Sequence, residues 1–364
     1  MSKLNLNIRP FNLRLKQPFG ISRGSITYAK NVLITLSFDE IIAYGECAPS
    51  AFYGEDQNSV MDFIGAFKRH KSIEEYLTNI QKLKNDLNSF TFNIYSGTSP
   101  SARVGIEMAF WDLIGKINDK SLYQFFFNDD PFLKNGSTYK SLKPTSYTIG
   151  LDNLLTIENK VKNAINSGYK ILKIKMGLGF EQDKNIIDSV NKIIDGQHFT
   201  LRLDVNGGWD LDCAMKMLDY LSNFKNIEMI EQPLPKGQVH LLSKLTQNSP
   251  IQIFIDEDCM VSNDIELLAG KVHGVNIKLM KAGSIIEAFN MINLAKSYNL
   301  KVMLGCMIES SCAIAAGAHL SPLADYVDLD GHLLIEHDPF CGLTLENNIV
   351  MPSFDVGLGV NLIG

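Results

Sequence analysis

Five ionisable residues recur along this 364-residue chain at a steady interval: Lys175, Asp204, Glu231, Asp256 and Lys278, separated by 29, 27, 25 and 22 residues. That interval is one strand plus one helix. It is the repeat of a parallel β/α barrel, where functional groups sit at the C-terminal ends of successive strands. Three carboxylates supply the oxygen ligands that a hard divalent cation such as Mg²⁺ requires. A lysine on either side of them supplies a base and an acid. A proton α to a carboxylate is weakly acidic, because its removal leaves an enediolate with two anionic oxygens. A divalent ion bound to that carboxylate stabilises the charge as it develops. The set therefore points to metal-assisted proton transfer at carbon.

The elements that must position these residues are readable from Thr145 onward. Apolar strand candidates lie at 146–150, 170–176, 200–205, 227–231, 252–256, 274–280, 301–305 and 325–329, with amphipathic helical patterns between them, as in Ile157–Ser167 and Ile285–Tyr298. Continuous apolar strands alternating with helices form a parallel sheet buried on both faces. Eight of them close most naturally into a barrel. The competing open doubly wound sheet lacks its Gly-rich phosphate fingerprint here.

Alternation along the second strand puts Lys173 and Lys175 on one face and Ile174 on the other. Two lysines inside a buried strand are costly unless paired or functional. Asp204 and Asn206 end the third strand, Glu231 the fourth, and Asp256 the fifth, with Glu257 next in line. A single Asp at a strand end commonly caps a helix; three on consecutive strands converge on one place. Lys278 lies on the sixth strand, four removed from the second, so Lys175 and Lys278 face each other across the axis. That suits taking a proton from one face of a carbon and returning one to the other. A lysine base needs its pKa lowered towards neutrality, and Lys173 beside Lys175, with a cation nearby, would lower it. Asp328 and Asp330 share a face of the eighth strand, too far round the barrel to join the metal group easily. They suit a cationic substrate group such as an ammonium; the Asp-Gly step at 330–331 equally suits a turn.

The first third has a different rhythm. Residues 3–16, 29–38 and 41–47 alternate as an antiparallel meander turning at Asp39-Glu40, and helical patterns follow at 57–69, 73–86 and 101–118. Residues 129–144 are rich in Asn, Asp, Gly, Ser and Pro and read as a linker. In place of an eighth long helix, residues 338–364 return towards the first domain. The expected organisation is an α+β domain over 1–128, the barrel over 129–337, and that C-terminal segment. A net charge of −6 offers no basic field for nucleic acid. The six cysteines are scattered, without the spacing of a zinc site. No apolar run is long enough to span a membrane, and the N-terminus has no signal-peptide core. The expectation is a cytoplasmic enzyme with reduced thiols.

Lys173-Ile-Lys175, Asp204-Val-Asn206, Glu231-Gln-Pro233, Asp256-Glu257 and Asn276-Ile-Lys278 together resemble the enolase superfamily, in its muconate-lactonising-type subgroup. Tyr44-Gly-Glu-Cys47 and Glu107-Met-Ala-Phe-Trp-Asp112 extend the likeness through nearly the whole chain. The resemblance implies a (β/α)₇β TIM-like barrel with an N-terminal α+β capping domain. It implies Mg²⁺ on Asp204, Glu231 and Asp256, with Lys175 and Lys278 as the acid/base pair. Asp328-Leu-Asp330, with Gly305-Cys-Met-Ile-Glu-Ser310, looks like the dipeptide epimerases, closest to those of L-Ala-D/L-Glu specificity in muropeptide recycling. In that group the Asp pair holds a dipeptide's α-ammonium, and the C-terminal residue is epimerised. The substrate would be a small dipeptide, and a homo-oligomer is compatible with this reading. Arg23, in the segment Pro18–Gly24, suits a glutamate side chain by a bidentate contact, and equally suits plain surface. Phe52 and Tyr53 suit either pocket closure or packing between domains. A lyase such as o-succinylbenzoate synthase, or a cycloisomerase, would share the metal and lysines but has no use for an ammonium site.

Overall fold

The computed structural model describes residues 4–68, 75–76, 79–89, 92, 99–127, 142–247, 249–353 and 355–363. The chain opens with a three-stranded antiparallel sheet of β1 (Asn5–Ile21), β2 (Gly24–Phe38) and β3 (Ile41–Cys47), with the Asp39-Glu40 turn between the last two. Helices α1 (Gln57–Phe67), α2 (Ile80–Asn88), α3 (Pro100–Asn118) and α4 (Leu122–Phe126) follow. Eight parallel strands come next: β4 (Tyr147–Ile149), β5 (Ile171–Lys175), β6 (Thr200–Asp204), β7 (Ile227–Glu231), β8 (Gln252–Ile255), β9 (Gly274–Lys278), β10 (Lys301–Gly305) and β11 (Tyr326–Asp328). They pair in sequence order, and the Ser146 amide donates to the Val327 carbonyl at 3.3 Å, joining the first strand's edge to the last. Seven connections carry α5 (Leu154–Asn166), α6 (Phe180–Ile194), α7 (Leu211–Leu221), α8 (Val239–Thr246), α9 (Ser262–Leu268), the short α10 (Leu279–Ala282) leading into α11 (Ile285–Ser297), and α12 (Ser311–Leu320). After β11 come a 3₁₀ turn, Gly331–Leu333, and the short strands Phe340–Cys341, Leu343–Glu346, Ile349–Pro352 and Asn361–Leu362, with no eighth α-helix among the described residues. The (β/α)₇β barrel with an N-terminal α+β domain is therefore the observed architecture.

Several expected boundaries move. The first strand runs to Ile21 and the second starts at Gly24, so Pro18–Gly24 is the end of a hairpin rather than a free loop. The register shifts between Arg14 and Phe19, where the Lys16 amide donates to Leu334 beyond β11 instead of to β2. A bulge of this kind bends a strand, and here the detour brings Arg23 to the mouth of the barrel. The sixth strand ends at Lys278, because Leu279–Ala282 turns into α10. Asp256 and Asp330 stand one and two residues past the ends of β8 and β11. Helix α2 begins at Ile80, with the Asn79 side chain accepting from the Lys82 amide as its N-cap. The 73–79 part of the expected helix and the linker at 129–144 lie largely outside the described residues. Among the described residues no helix is long and apolar enough to cross a membrane.

The floor of the barrel is filled by Met229, Phe254 and Met303, with Tyr326 packed against them, so the mouth opens on one side only. Within the first domain a methyl group at Gly45 would fall 2.0 Å from the Gly105 carbonyl oxygen, so β3 and α3 meet backbone to backbone. That domain is seated beside the mouth by its carboxylates. Glu46 accepts from the Ser310 amide at 3.0 Å and its hydroxyl at 2.5 Å, at the start of α12. Glu107 accepts from the Ile285 and Ile286 amides at 3.2 and 3.1 Å, at the start of α11. Two barrel helices are thus capped by carboxylates from the other domain, where orphan N–H groups and the helix dipole favour negative charge. The C-terminal segment adds further contacts: the Phe340 ring packs edge-on against Phe11 and Tyr44, and the Leu358 amide donates to Asp112 at 2.8 Å.

Candidate active site

Parallel pairing sets the site out in rows. Lys175 is in register with Asp204, and Asp204 with Glu231; across the barrel Lys278 is in register with Gly305, and Gly305 with Asp328. Strands β5 and β9 are four apart in a closed set of eight, so Lys175 and Lys278 stand on opposite walls. Lys175 Nζ donates to Asp204 Oδ2 at 2.6 Å and to Asn206 Oδ1 at 3.1 Å. Lys278 Nζ donates to Asp256 Oδ2 at 2.9 Å. Both ammonium groups reach the lining of one cavity of about 710 Å³. The turns that leave β6 and β7 use Asn206 (φ 49°) and Gln232 (φ 40°) in the left-handed region. From there the Gln232 side chain accepts from the Asp256 and Glu257 amides at 3.1 and 3.0 Å and holds the next carboxylate in place.

Lys173 has a different position from its neighbour. Its ammonium lies 3.0 Å from Asp204, 2.7 Å from Glu231 and 2.7 Å from Asp328. Its charge is therefore shared among three carboxylates. It also links Asp328 to Asp204 and Glu231 through one shared ammonium. Burial opposes charge on Lys173, but Asp204, Asp328 and Glu231 outweigh it and hold its pKa well above the ordinary value. Lys278 follows the same logic: burial opposes its charge, Asp256 reverses that, and its pKa is raised, not lowered.

The carboxylates divide by the company they keep. Burial would raise Asp204 and Asp256, yet Lys173 and Lys175 lower the first, and Lys278 and Lys281 the second. Glu231 is pushed up to about 7 by burial and by repulsion from Asp204. Asp328 is lowered because Lys173 offsets its burial, whereas Asp330 rises to about 6 through burial and the adjacent charge of Asp328. All five are buried, the condition under which a charge must be paired.

The donor set fits a hard cation. Asp204, Glu231 and Asp256 present oxygens only, on three consecutive strands. Glu231 Oε2 and Asp256 Oδ1 lie 2.7 and 2.6 Å from the ammonium groups of Lys173 and Lys281, but neither receives a directed hydrogen bond. Their lone pairs retain ligand capacity. Among the described residues no three acidic, histidine or cysteine side chains are placed so as to hold a metal ion between them; their oxygens turn to lysine ammonium groups instead.

From the first domain, Arg23 reaches the barrel and donates to the Asn206 carbonyl at 2.8 Å and to Glu257 Oε1 at 3.1 Å from both terminal nitrogens. Its guanidinium lies over the Phe52 ring at 4.1 Å. It is a wall of the cavity, already paired, and not plain surface. Tyr53 also lines the cavity, in a 3₁₀ turn of Ala51–Tyr53, with its ring edge-on to Phe52 at 5.1 Å.

Comparison with known proteins assigns the chain to a family. Residues 3–126 match the model of the mandelate racemase/muconate lactonizing enzyme N-terminal domain, and residues 156–362 match that of the enolase C-terminal domain-like family. The chain belongs to the mandelate racemase/muconate lactonizing enzyme family. An L-Ala-D/L-Glu epimerase of Bacteroides thetaiotaomicron is 32% identical over 98% of this chain and 88% of its own length. A hydrophobic dipeptide epimerase of Roseobacter litoralis is 33% identical over 95% of this chain and 96% of its own. A dipeptide epimerase of Enterococcus faecalis, complexed with Mg and L-Leu-L-Tyr, superposes with a TM-score of 0.84 at 27% identity, covering 99% of this chain and 100% of that one.

In this member of the family, the structure brings Lys173, Lys175, Asp204, Asn206, Glu231, Asp256, Glu257, Lys278, Asp328 and Asp330 to one mouth. Sequence reasoning missed three residues beneath them, Lys281, Ser146 and Arg202, and gave Asn276 no role. Lys281, almost fully buried, donates to the carbonyls of Asp256, Cys259 and Asn276 at 2.5, 2.9 and 2.9 Å. Asn276 donates to Glu231 Oε1 at 2.7 Å. Ser146 and Arg202 lie below Asp328. The repeated lysine at 278 and 281 was the available signal, since a lysine within an otherwise apolar turn must have a partner.

Proposed function

We propose that this protein is a Mg²⁺-dependent dipeptide epimerase that inverts the α-carbon of the C-terminal residue. The observation that carries the reading is the opposition of Lys175 and Lys278 across the barrel, with three oxygen-donor side chains between them. Asp204, Glu231 and Asp256 would hold Mg²⁺, which supplies positive charge for the substrate carboxylate on which anionic charge grows. Lys175 takes or returns the α-proton on one face, and Lys278 does the opposite on the other. Asp328 and Asp330 receive the α-ammonium, which fixes the dipeptide's direction and favours this reaction over a lyase or cycloisomerase reaction. Residues 1–128, with 338–364 returning to them, act as the cap over the barrel of 129–337, and Phe52 and Tyr53 shape the pocket's edge.

For specificity we propose L-Ala-D/L-Glu, as in muropeptide recycling in the cytoplasm, with Arg23 facing the glutamate side chain. The Arg23–Glu257 ion pair favours a second reading. A guanidinium already neutralised by Glu257 and stacked on Phe52 attracts an acidic side chain less, and a C-terminal residue of apolar type then fits. Incubating the protein with Mg²⁺ in D₂O tests both. L-Ala-L-Glu should gain one deuterium at the glutamate α-carbon and become a mixture of epimers. A panel of L-Ala-L-Xaa dipeptides ranks the side chains. If no dipeptide exchanges its α-proton, the proposed function is wrong.

A further inference from the structure

A line of buried polar groups runs from the floor of the barrel to Asp328. Ser146, just ahead of β4, is fully buried and donates from its hydroxyl to Asp328 Oδ1 at 2.5 Å. Arg202, on β6 and 3% exposed, approaches the same hydroxyl at 3.5 Å and donates to the Val327 carbonyl at 2.7 Å. Its Nε pairs with Glu228 at 2.7 Å. Glu228, whose side chain is 27% exposed, is the residue skipped where the β6–β7 register slips, Leu201 facing Ile227 and Arg202 facing Met229. Bulges re-aim side chains. The Arg202 guanidinium also stands over the Tyr326 ring at 5.3 Å. None of these groups reaches the α-carbon chemistry, yet together they occupy costly buried space.

Their common target is one carboxylate. Asp328 divides its oxygens, Oδ1 to Ser146 and Oδ2 to Lys173 at 2.7 Å. Two directed bonds of this kind leave the carboxylate one rotamer, with its remaining lone pairs facing the cavity. Asp330 is oriented by the same strand, since the Thr148 amide donates to its Oδ2 at 2.6 Å. We propose that Ser146 and Arg202 are positioning residues for recognition of the substrate's amino end. Ser146 fixes the Asp328 carboxylate, and Arg202 fixes Ser146 and the β4/β11 seam beneath it. The inference rests on the reading of Asp328 and Asp330 as the ammonium site, and extends it to groups that touch no substrate.

The test compares L-Ala-L-Glu as substrate with N-acetyl-L-Ala-L-Glu, which lacks the ammonium, as inhibitor. In the unaltered enzyme the free dipeptide should bind at least about tenfold more tightly, the scale of one charge-assisted hydrogen bond. Ser146→Ala should raise KM about five- to tenfold, with kcat and the N-acetyl inhibition constant unchanged within about twofold. Arg202→Met, which keeps an unbranched side chain but removes the guanidinium, should move KM in the same direction. If the unaltered enzyme does not distinguish the two ligands, the ammonium reading fails. If it does, and Ser146→Ala keeps both the discrimination and KM, the positioning role is refuted while that reading stands. A loss of kcat with KM unchanged also refutes it, since the network would then serve the lysines. Circular dichroism and the N-acetyl inhibition constant separate these outcomes from misfolding.

Discussion

Two sets of buried carboxylates in this molecule are answered differently. Where the domains meet, Glu46 and Glu107 are satisfied by backbone amides and serine hydroxyls at helix starts, with burial raising both pKa values. At the barrel mouth, Asp204, Glu231, Asp256 and Asp328 are answered by lysine ammonium groups. Fixed backbone dipoles can do only one thing, which is hold two elements together. An ammonium on a four-carbon stem is a movable charge, and an oxygen it contacts can instead face a metal ion or a substrate. The same residue type is a clasp in one place and working machinery in the other.

Substitutions can break or sharpen that contrast. The largest effect belongs to the mouth: Lys175→Ala or Lys278→Ala should each reduce epimerisation by at least about 10³-fold with the fold intact, as measured by polarimetry and circular dichroism. Next, Lys281→Met should weaken Mg²⁺ binding about 10- to 100-fold by titration calorimetry, the range for supports behind metal ligands. Lys281→Arg should recover part of it. At the interface, Glu107→Ala should cost about 2–4 kcal/mol of stability in urea unfolding, because it strands two buried amides. Mg²⁺ affinity in the folded protein should hardly change, which is the contrast the comparison requires.

The smallest effect is a pH dependence. Glu309 is pushed up to about 8 by burial, partly countered by the Met307 amide that donates to it at 2.8 Å. An unfolded glutamate ionises near 4.3. The folded state therefore binds the proton more tightly. That stabilisation is full below the unfolded value and is lost as pH rises towards about 8. Glu309→Gln should flatten stability against pH between about 5 and 8, measured as the difference from the unaltered protein.

Much of this was readable in the chain because strand alternation and strand order obey strict rules. The 22–29-residue interval placed Lys175, Asp204, Glu231, Asp256 and Lys278 before any coordinate did. Pairing is where local pattern ran out. Nothing near Lys173 in sequence announces Asp328, 155 residues away, so its role as a shared counter-ion is a product of barrel closure. Arg23 stood open between a substrate contact and plain surface, because the irregularity that sends β1 towards Leu334 depends on a segment at the far end of the chain. The motif Tyr44-Gly-Glu-Cys47 gave a family resemblance but not a task; only the start of α12 shows that Glu46 is a helix cap.

The central claim is that two lysines serve opposite faces of one carbon. Exchange of the α-proton in D₂O should therefore be measured for each single lysine variant, starting from each epimer of the dipeptide in turn. The account predicts that Lys175→Ala still exchanges one epimer and Lys278→Ala only the other, with neither interconverting them. Exchange of both epimers by either variant at the rate of the unaltered enzyme would contradict it.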